Sequence, residues 1–392
     1  MTSATENRTK TRPVNSGRKL VLISGYYGFG NLGDEAILES IITALQKDVS
    51  SENIVVLSNN PELHEKTYGV KAINRWKMAP FLALLPRTKL FISGGGGLFQ
   101  DTNSAGSTIY YGGQIGLARA FGAHTFMFAQ GLGPLTSATG KLATRIASGL
   151  CNTLTVRDKT SHAMLTEWKV AAELTADPVW MLAETPLSVD VQKQIAVLKD
   201  ASSMVVGLSL RNSHNFSDAR RDILIDVLHK TLPADASLLL MPLQNEQDLP
   251  QLSPFMQAWT QKGRTAHLLD ASTIERPSQW ISLIRQLDLV VAMRLHALIF
   301  ALKESIPTFG LTYDPKVEHV LTQFGQPILI LPKESDDSEL SSKWLSAASA
   351  GLQELKQLKG KAHESADTAK KLACRNFQQL AKILGMQSDP SL

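Results

Sequence analysis

Three arginines and one histidine stand where open α/β sheets do chemistry. Arg157 follows the apolar run Thr153–Val156, and Arg211 follows Met204–Leu210. Arg294 follows Leu287–Val291 and opens a helical stretch with Leu295 and His296. A guanidinium at a strand end can clamp a carboxylate or phosphate through two parallel N–H bonds. The helix start beyond Arg294 strengthens the field for an anion. An imidazole titrates near neutrality, so His296 can act as general acid or base. Its helical angle lies off the apolar stripe, so burial alone does not explain it. Three strand-end arginines together imply an anionic substrate.

Glycines mark the backbone that must meet this substrate. The string Gly25-Tyr-Tyr-Gly28-Phe-Gly30-Asn31-Leu-Gly33-Asp34-Glu35 links the apolar run Leu20–Ser24 to a helical pattern over 34–47. Strand, glycine loop, helix is a ligand-binding turn. Gly28-Phe-Gly30-Asn-Leu-Gly33 fits the dinucleotide fingerprint G-x-G-x-x-G. Two features oppose that reading. The next strand ends in Ser58-Asn59-Asn60, with no acid to hold a ribose, and Asp34-Glu35 would repel a pyrophosphate. A second cluster, Gly94 to Gly97 before Gln100-Asp101, follows Lys89–Ser93. A third, Gln130-Gly131-Leu-Gly133-Pro134, follows His124–Ala129. Three glycine-rich strand ends point to the floor of a cleft, with backbone N–H groups facing a ligand. The expected substrate contacts are Gly30, Asn31, Gly33, Gly95, Gly96, Gln130 and Gly131, with Arg157 and Arg211. Asp177-Pro178 and Tyr313-Asp314-Pro315-Lys316 read as loops at the rim, because proline forces the preceding aspartate out of helix.

The elements that position these residues alternate. Short β-rich runs and helical patterns follow one another from residue 20, loosen at 184–200, and resume. That rhythm predicts parallel sheets with helices on both faces. The fold class is α/β: two Rossmann-like doubly wound domains facing a central cleft. The N-terminal domain spans 19–185 and the C-terminal domain 200–356. A basic tail at 1–18 reads as disordered, and 357–392 as a helical extension. Ligands of such sheets bind at the carboxyl ends of the strands.

The chain has 392 residues, 43% hydrophobic and 19% charged, enough for two cores. A net charge of +4 does not point to nucleic acid. The basic excess gathers at the ends (Arg8 to Lys19, Lys356 to Arg375), which read as solvated faces, with a peripheral contact at an anionic membrane as the alternative. Two cysteines, Cys151 and Cys374, make no disulfide framework or thiolate metal site, and a reducing cytoplasm fits. The N-terminus lacks an apolar signal core, and no apolar run reaches the ~20 residues of a membrane span. No histidine pattern suits a metal, the pair Asp336-Asp337 has no helper ligands, and neither a P-loop nor a G-x-S-x-G elbow occurs.

The G-x-x-G-x-G-N-x-G-D-E string, the Gly94–Gly97 cluster with Gln100-Asp101, Gln130 to Pro134, Arg157-Asp158, Asp177-Pro178 and Arg294-Leu295-His296 follow one another as in a known family. Over about residues 20–325 the chain resembles polysaccharide pyruvyl transferases of the CsaB type. The resemblance implies the glycosyltransferase-B architecture, no metal or other cofactor, and phosphoenolpyruvate as donor. The acceptor would be a sugar of a cell-surface glycan or its lipid-linked precursor, the product a pyruvate ketal with release of phosphate. Arg294, Leu295 and His296 would hold phosphoenolpyruvate, with Arg157 as a further contact. His296 is then the expected acid on the enol carbon and Asp34 the candidate base on the sugar hydroxyl. A nucleotide-sugar glycosyltransferase explains the glycines and arginines equally well; a catalytically silent glycan- or nucleotide-binding protein is the second alternative, one with little use for an imidazole beside Arg294.

Overall fold

A computed structural model describes residues 17–102, 104–332, 337 and 339–386. The expected N-terminal tail therefore falls, up to residue 16, outside the described residues, as does Asp336. The first sheet holds β1 (Leu20–Ser24), β2 (Ile54–Ser58), β3 (Lys71–Asn74), β4 (Thr88–Ser93), β5 (Gly96–Phe99), β6 (His124–Leu132), β7 (Thr153–Val156) and β8 (Glu173–Leu174). Its order is β3-β2-β1-β4-β6-β7-β8, with β5 alongside the end of β6, and every pair is parallel. The second sheet holds β9 (Val205–Ser209), β10 (Ser237–Leu240), β11 (Thr265–Leu268), β12 (Leu289–Ala292), β13 (Thr308–Thr312) and β14 (Ile328–Ile330), in the order β11-β10-β9-β12-β13-β14. These are two Rossmann-like doubly wound lobes. Strands β1, β2 and β9 are buried along their whole length, as sheets covered on both faces require.

Helices of the first lobe are α1 (Leu32–Leu45), α2 (Pro61–Tyr68), α3 (Met78–Leu84), α4 (Gly106–Ala120), α5 (Ala138–Leu150) and α6 (Lys159–Glu167). Then come α7 (Val189–Asp200), α8 (Asp218–Thr231), α9 (Asn245–Gln261), α10 (Pro277–Ile284), α11 (Leu295–Lys303), α12 (Pro315–Gln323), α13 (Leu340–Gln353) and α14 (Leu355–Leu384). Four departures from the sequence reading matter. Gly96 to Phe99 is a strand, because β6 runs three residues past its expected end and offers a partner. The loosened stretch at 184–200 contains α7, capped by Ser188 and anchored by Val191, Ile195 and Leu198. Helix α9 survives two internal prolines, Pro250 and Pro254, because Leu252, Phe255 and Trp259 are buried. The extension expected beyond 356 is not an appendage. Helix α14 crosses back to the first lobe, where Asn376 bonds Thr175 Oγ1 (2.8 Å) and the Ala176 carbonyl (2.9 Å), and Phe377 meets Phe128 edge-on.

A seam locks the lobes below the crevice. Buried Glu39 on α1 accepts from the backbone N (2.9 Å) and Oγ (2.8 Å) of Ser278 on α10. Leu32 N, at the start of α1, donates to the Leu243 carbonyl of the second lobe.

Candidate functional site

The carboxyl ends of the central strands of both sheets face each other where each strand order reverses, between β1 and β4 and between β9 and β12. From the first lobe come the glycine loop and the start of α1. Asn31 caps α1 by accepting from Gly33 N (3.1 Å). The acidic pair divides its work. Glu35 accepts from Gly28 N (2.7 Å) and meets His64 Nε2 (2.8 Å), which braces the loop. Gly28 and Gly30 have positive φ, as the turn requires. Asp34 has no hydrogen bond among the described residues. Burial pushes its carboxyl up to about 7; Glu35 adds to this, while Arg157 and Arg294 oppose it. A carboxyl that gains and loses its proton near neutrality suits a general base.

The second lobe supplies His296 in the first turn of α11. A Cβ on Gly33 would overlap its imidazole. The two lobes thus touch through a helix start on each side, and only glycine fits. His296 Nε2 lies 3.5 Å from Asp177 Oδ2, an electrostatic contact too long for a good hydrogen bond. The same oxygen pairs with Arg157 Nη1. Burial works against charge on Asp177. The Arg157 guanidinium and then His296 outweigh it and hold the carboxyl well below the usual carboxylate range. Arg157, Asp177 and His296 form a chain across the crevice, with Arg157 Nε against Gly131.

The arginines were expected as free clamps, and two of them are not free. Arg157 is engaged by Asp177, and Arg294 by Asp248 (Nε 3.1 Å, Nη2 2.5 Å) and Gln247 (3.3 Å). The reason is burial: both side chains are at most a tenth exposed, and a buried guanidinium without a counter-charge is costly. Asp248 itself is fixed by Leu243 N and Gln244 N, each at 2.9 Å. Burial raises its carboxyl, and Arg294 counteracts this. Both arginines, one from each lobe, nevertheless favour the ionised form of Asp34. Arg211 differs. It meets only the neutral Gln247 Oε1 (3.3 Å), its Nε is buried without a partner, and no carboxylate pairs with it among the described residues.

Sequence reasoning placed Lys316 and Asp177 only at the rim, through their Asp-Pro signals. Asp177 instead joins Arg157 to His296. Lys316 reaches from α12 to the Gly133 carbonyl of the other lobe (2.8 Å), and a Cβ on Gly97 would lie 3.8 Å from its Nζ. Burial and the Arg157 charge lower its pKa. Other expected contacts serve packing. Gly95 is buried against the carbonyls of Phe128 and Ala129, and Gln130 donates to the Gly96 carbonyl (2.8 Å) from full burial. A Cβ on Gly96 would stand 2.8 Å from Asp34 Oδ1, Gly30 borders open space, and Leu295 packs on the core.

Comparison with known proteins adds the following. The family model described as polysaccharide pyruvyl transferase matches residues 31–315. A comparison with curated proteins finds no match. Anabaena Alr3699/HepE, solved in complex with UDP and glucose, superposes with a TM-score of 0.61 at 15% identity, covering 94% of this chain and 100% of its own. Staphylococcus aureus MnaA with UDP gives 0.61 at 9% identity, covering 94% and 98%. A putative UDP-N-acetylglucosamine 2-epimerase from Listeria monocytogenes gives 0.62 at 10%, covering 94% and 97%. At these identities the likeness carries the fold alone, two Rossmann-like lobes around a crevice.

Proposed function

This chain belongs to the polysaccharide pyruvyl transferase family, and from that premise we propose that it transfers the pyruvyl group of phosphoenolpyruvate to two hydroxyls of a sugar acceptor. The observation that carries the reading is the cross-lobe cluster of Arg157, His296 and Lys316 beside Asp34. Phosphoenolpyruvate presents a carboxylate and a phosphate a few bonds apart. Lys316 and Arg211, which have no carboxylate partner among the described residues, are the cations left to receive it. Arg157 and Arg294, held by Asp177 and Asp248, turn their remaining N–H donors and net field toward the same space.

In this reading the enol methylene takes a proton from His296, and C2 becomes oxocarbenium-like. One sugar hydroxyl attacks C2 as Asp34 accepts its proton. Phosphate leaves, and the second hydroxyl closes the ketal. Of the two hydroxyl protons, one replaces that given to the methyl group and the other leaves with phosphate. Asp177 keeps the imidazolium in place between the lobes. The acceptor is a polysaccharide sugar or its lipid-linked precursor, bound on the glycine-rich side; no metal or other cofactor takes part.

The test is phosphate release from phosphoenolpyruvate in the presence of hexose and N-acetylhexosamine lipid-carrier analogues, with the product mass read in parallel. Acceptor-dependent phosphate and a mass gain matching a ketal support the reading. Thermal stabilisation by UDP and turnover of a UDP-sugar, with no use of phosphoenolpyruvate, would replace it by the nucleotide-sugar alternative.

A further inference from the structure

Between Thr102 and Arg157 the chain has no acidic residue at all, yet it carries Arg119, Lys141 and Arg145. This span forms α4 and α5, which run side by side on the outer face of the first lobe. Gly112 meets Ala143 and Ala147, and Gly116 meets Leu150. Small residues on α4 let the helices approach, and their outer faces make one surface. Leu142 (59% exposed), Ile146 (54%) and Leu150 lie one turn apart along α5, and Ile109 (55%) near the start of α4 and Phe121 just past its end are exposed as well. The leucine–isoleucine–leucine stripe alone is ~12 Å long. Lys141 and Arg145 flank it, exposed, and neither has an ion pair among the described residues. Burial in this protein does not account for five large apolar side chains exposed on one helix pair, three of them in a row, beside unpaired cations.

We propose that the α4–α5 face is a docking surface for an anionic lipid bilayer, with the apolar row in the headgroup boundary and Lys141, Arg145 and Arg119 on acidic headgroups. The charge pattern selects this occupant. A second copy of the same face would bring like charges together, with no acid on α4 or α5 of either copy to offset them. The surface is separate from the basic stretch at the C-terminus, where Lys356, Lys359, Lys361, Lys371 and Arg375 are exposed on α14. Helix α14 spends its apolar stripe, including Ala366, Phe377 and Leu380, on the protein's own core. Among the described residues no helix is long and apolar enough to cross a membrane, so the contact lies on the surface. Its near end adjoins the crevice rim. Asp101, just past β5, accepts from the backbone N of Thr136 and Ser137 at the start of α5, and Tyr110 and Tyr111 of α4 pack on Arg75, which bonds the Gly25 carbonyl. A lipid-linked acceptor would then enter from the membrane side. That link rests on the pyruvyl-transfer reading; the surface itself does not.

The test is co-sedimentation of the full chain with vesicles of phosphatidylglycerol and phosphatidylcholine, against phosphatidylcholine alone, in 0.1 M salt. The expected result is binding to the anionic vesicles only, weakening in high salt. It should drop at least ~10-fold in the double variant Leu142→Glu/Ile146→Glu and in Lys141→Glu/Arg145→Glu, with both variants melting as wild type does. No binding by wild type, or equal binding by both folded variants, overturns the proposal. A wild-type dimer that Leu142→Glu/Ile146→Glu converts to monomer, with no vesicle binding, overturns it in favour of self-association. Phosphate release from phosphoenolpyruvate is measured separately, so loss of the surface and loss of the reaction are told apart.

Discussion

The two sheets share one strand order around their switch points, yet their carboxyl edges are built from opposite materials. The first lobe presents backbone: Gly25, Gly28, Gly30 and Gly33 after β1, Gly94 to Gly97 after β4, and Gly131 with Gly133 at the end of β6. The second presents side chains: Arg211 after β9, Arg294 and His296 after β12, and Lys316 after β13. The glycines are cut to the side chains. Gly33 leaves room for His296, Gly96 for Asp34, Gly97 for Lys316, and Gly131 for Arg157. A shared topology thus settles where a site lies; the first lobe clears space with glycine around Asp34 and Arg157 and pairs Arg157 with Asp177, and the second adds cations and an imidazole with no glycine at its strand ends.

The largest expected effect falls on the side-chain edge. His296→Ala should lower kcat by ~10²–10⁴, while phosphoenolpyruvate still raises the melting temperature. Unchanged kcat would remove the imidazole from the chemistry. Next is Asp177→Asn, which leaves Arg157 buried without its counter-charge; breaking such a pair typically costs ~3–5 kcal/mol. Chemical denaturation should show that loss at neutral pH and less of it in acid. Asp177 titrates low in the folded protein, so its contribution exists above the unfolded pKa and disappears as the carboxyl protonates. Lys316→Met removes one cation facing a doubly charged donor. A KM for phosphoenolpyruvate raised ~10-fold, about 1.4 kcal/mol, with little change in acceptor KM, would place the donor on the second lobe; the reverse split would move it to the glycine edge.

The smallest effect concerns Asp34, the acid on the glycine edge that no ion pair engages among the described residues. Asp34 titrates at about 7 in the folded chain, above the ordinary carboxyl range. The folded state therefore holds its proton more tightly, and ionised Asp34 costs stability at and above neutral pH. Asn at this position should raise the melting temperature by a few degrees at pH 8 and by less at pH 5, even as turnover falls. A uniform shift at both pH values would show that Asp34 is not desolvated.

Much of this architecture was legible in the chain. The apolar runs ending in glycine or arginine located both switch points, because parallel strands are buried on both faces and their ends stand out. The pairing of charges was not legible. Nothing near Arg294 in sequence announces Asp248, forty-six residues earlier, since that contact exists only once the fold brings the start of α9 to the end of β12. Asp177 showed itself only as the Asp of an Asp-Pro loop, and its place between Arg157 and His296 depends on how the lobes close. Lys316 was hidden in the same way, two residues after Asp314. The stretch 184–200 looked loose because Glu184-Thr-Pro masks the start of a helix whose buried face is only three residues wide.

Gly33 tests the central claim most directly. It lies in the first turn of α1 with no left-handed backbone to protect, and alanine is favoured over glycine there by ~1 kcal/mol on helix propensity alone. If the first lobe is shaped to receive His296, Gly33→Ala should lower the melting temperature and cut acceptor-dependent phosphate release from phosphoenolpyruvate at least ~100-fold. A variant that melts higher than wild type and turns over at the wild-type rate would contradict the account.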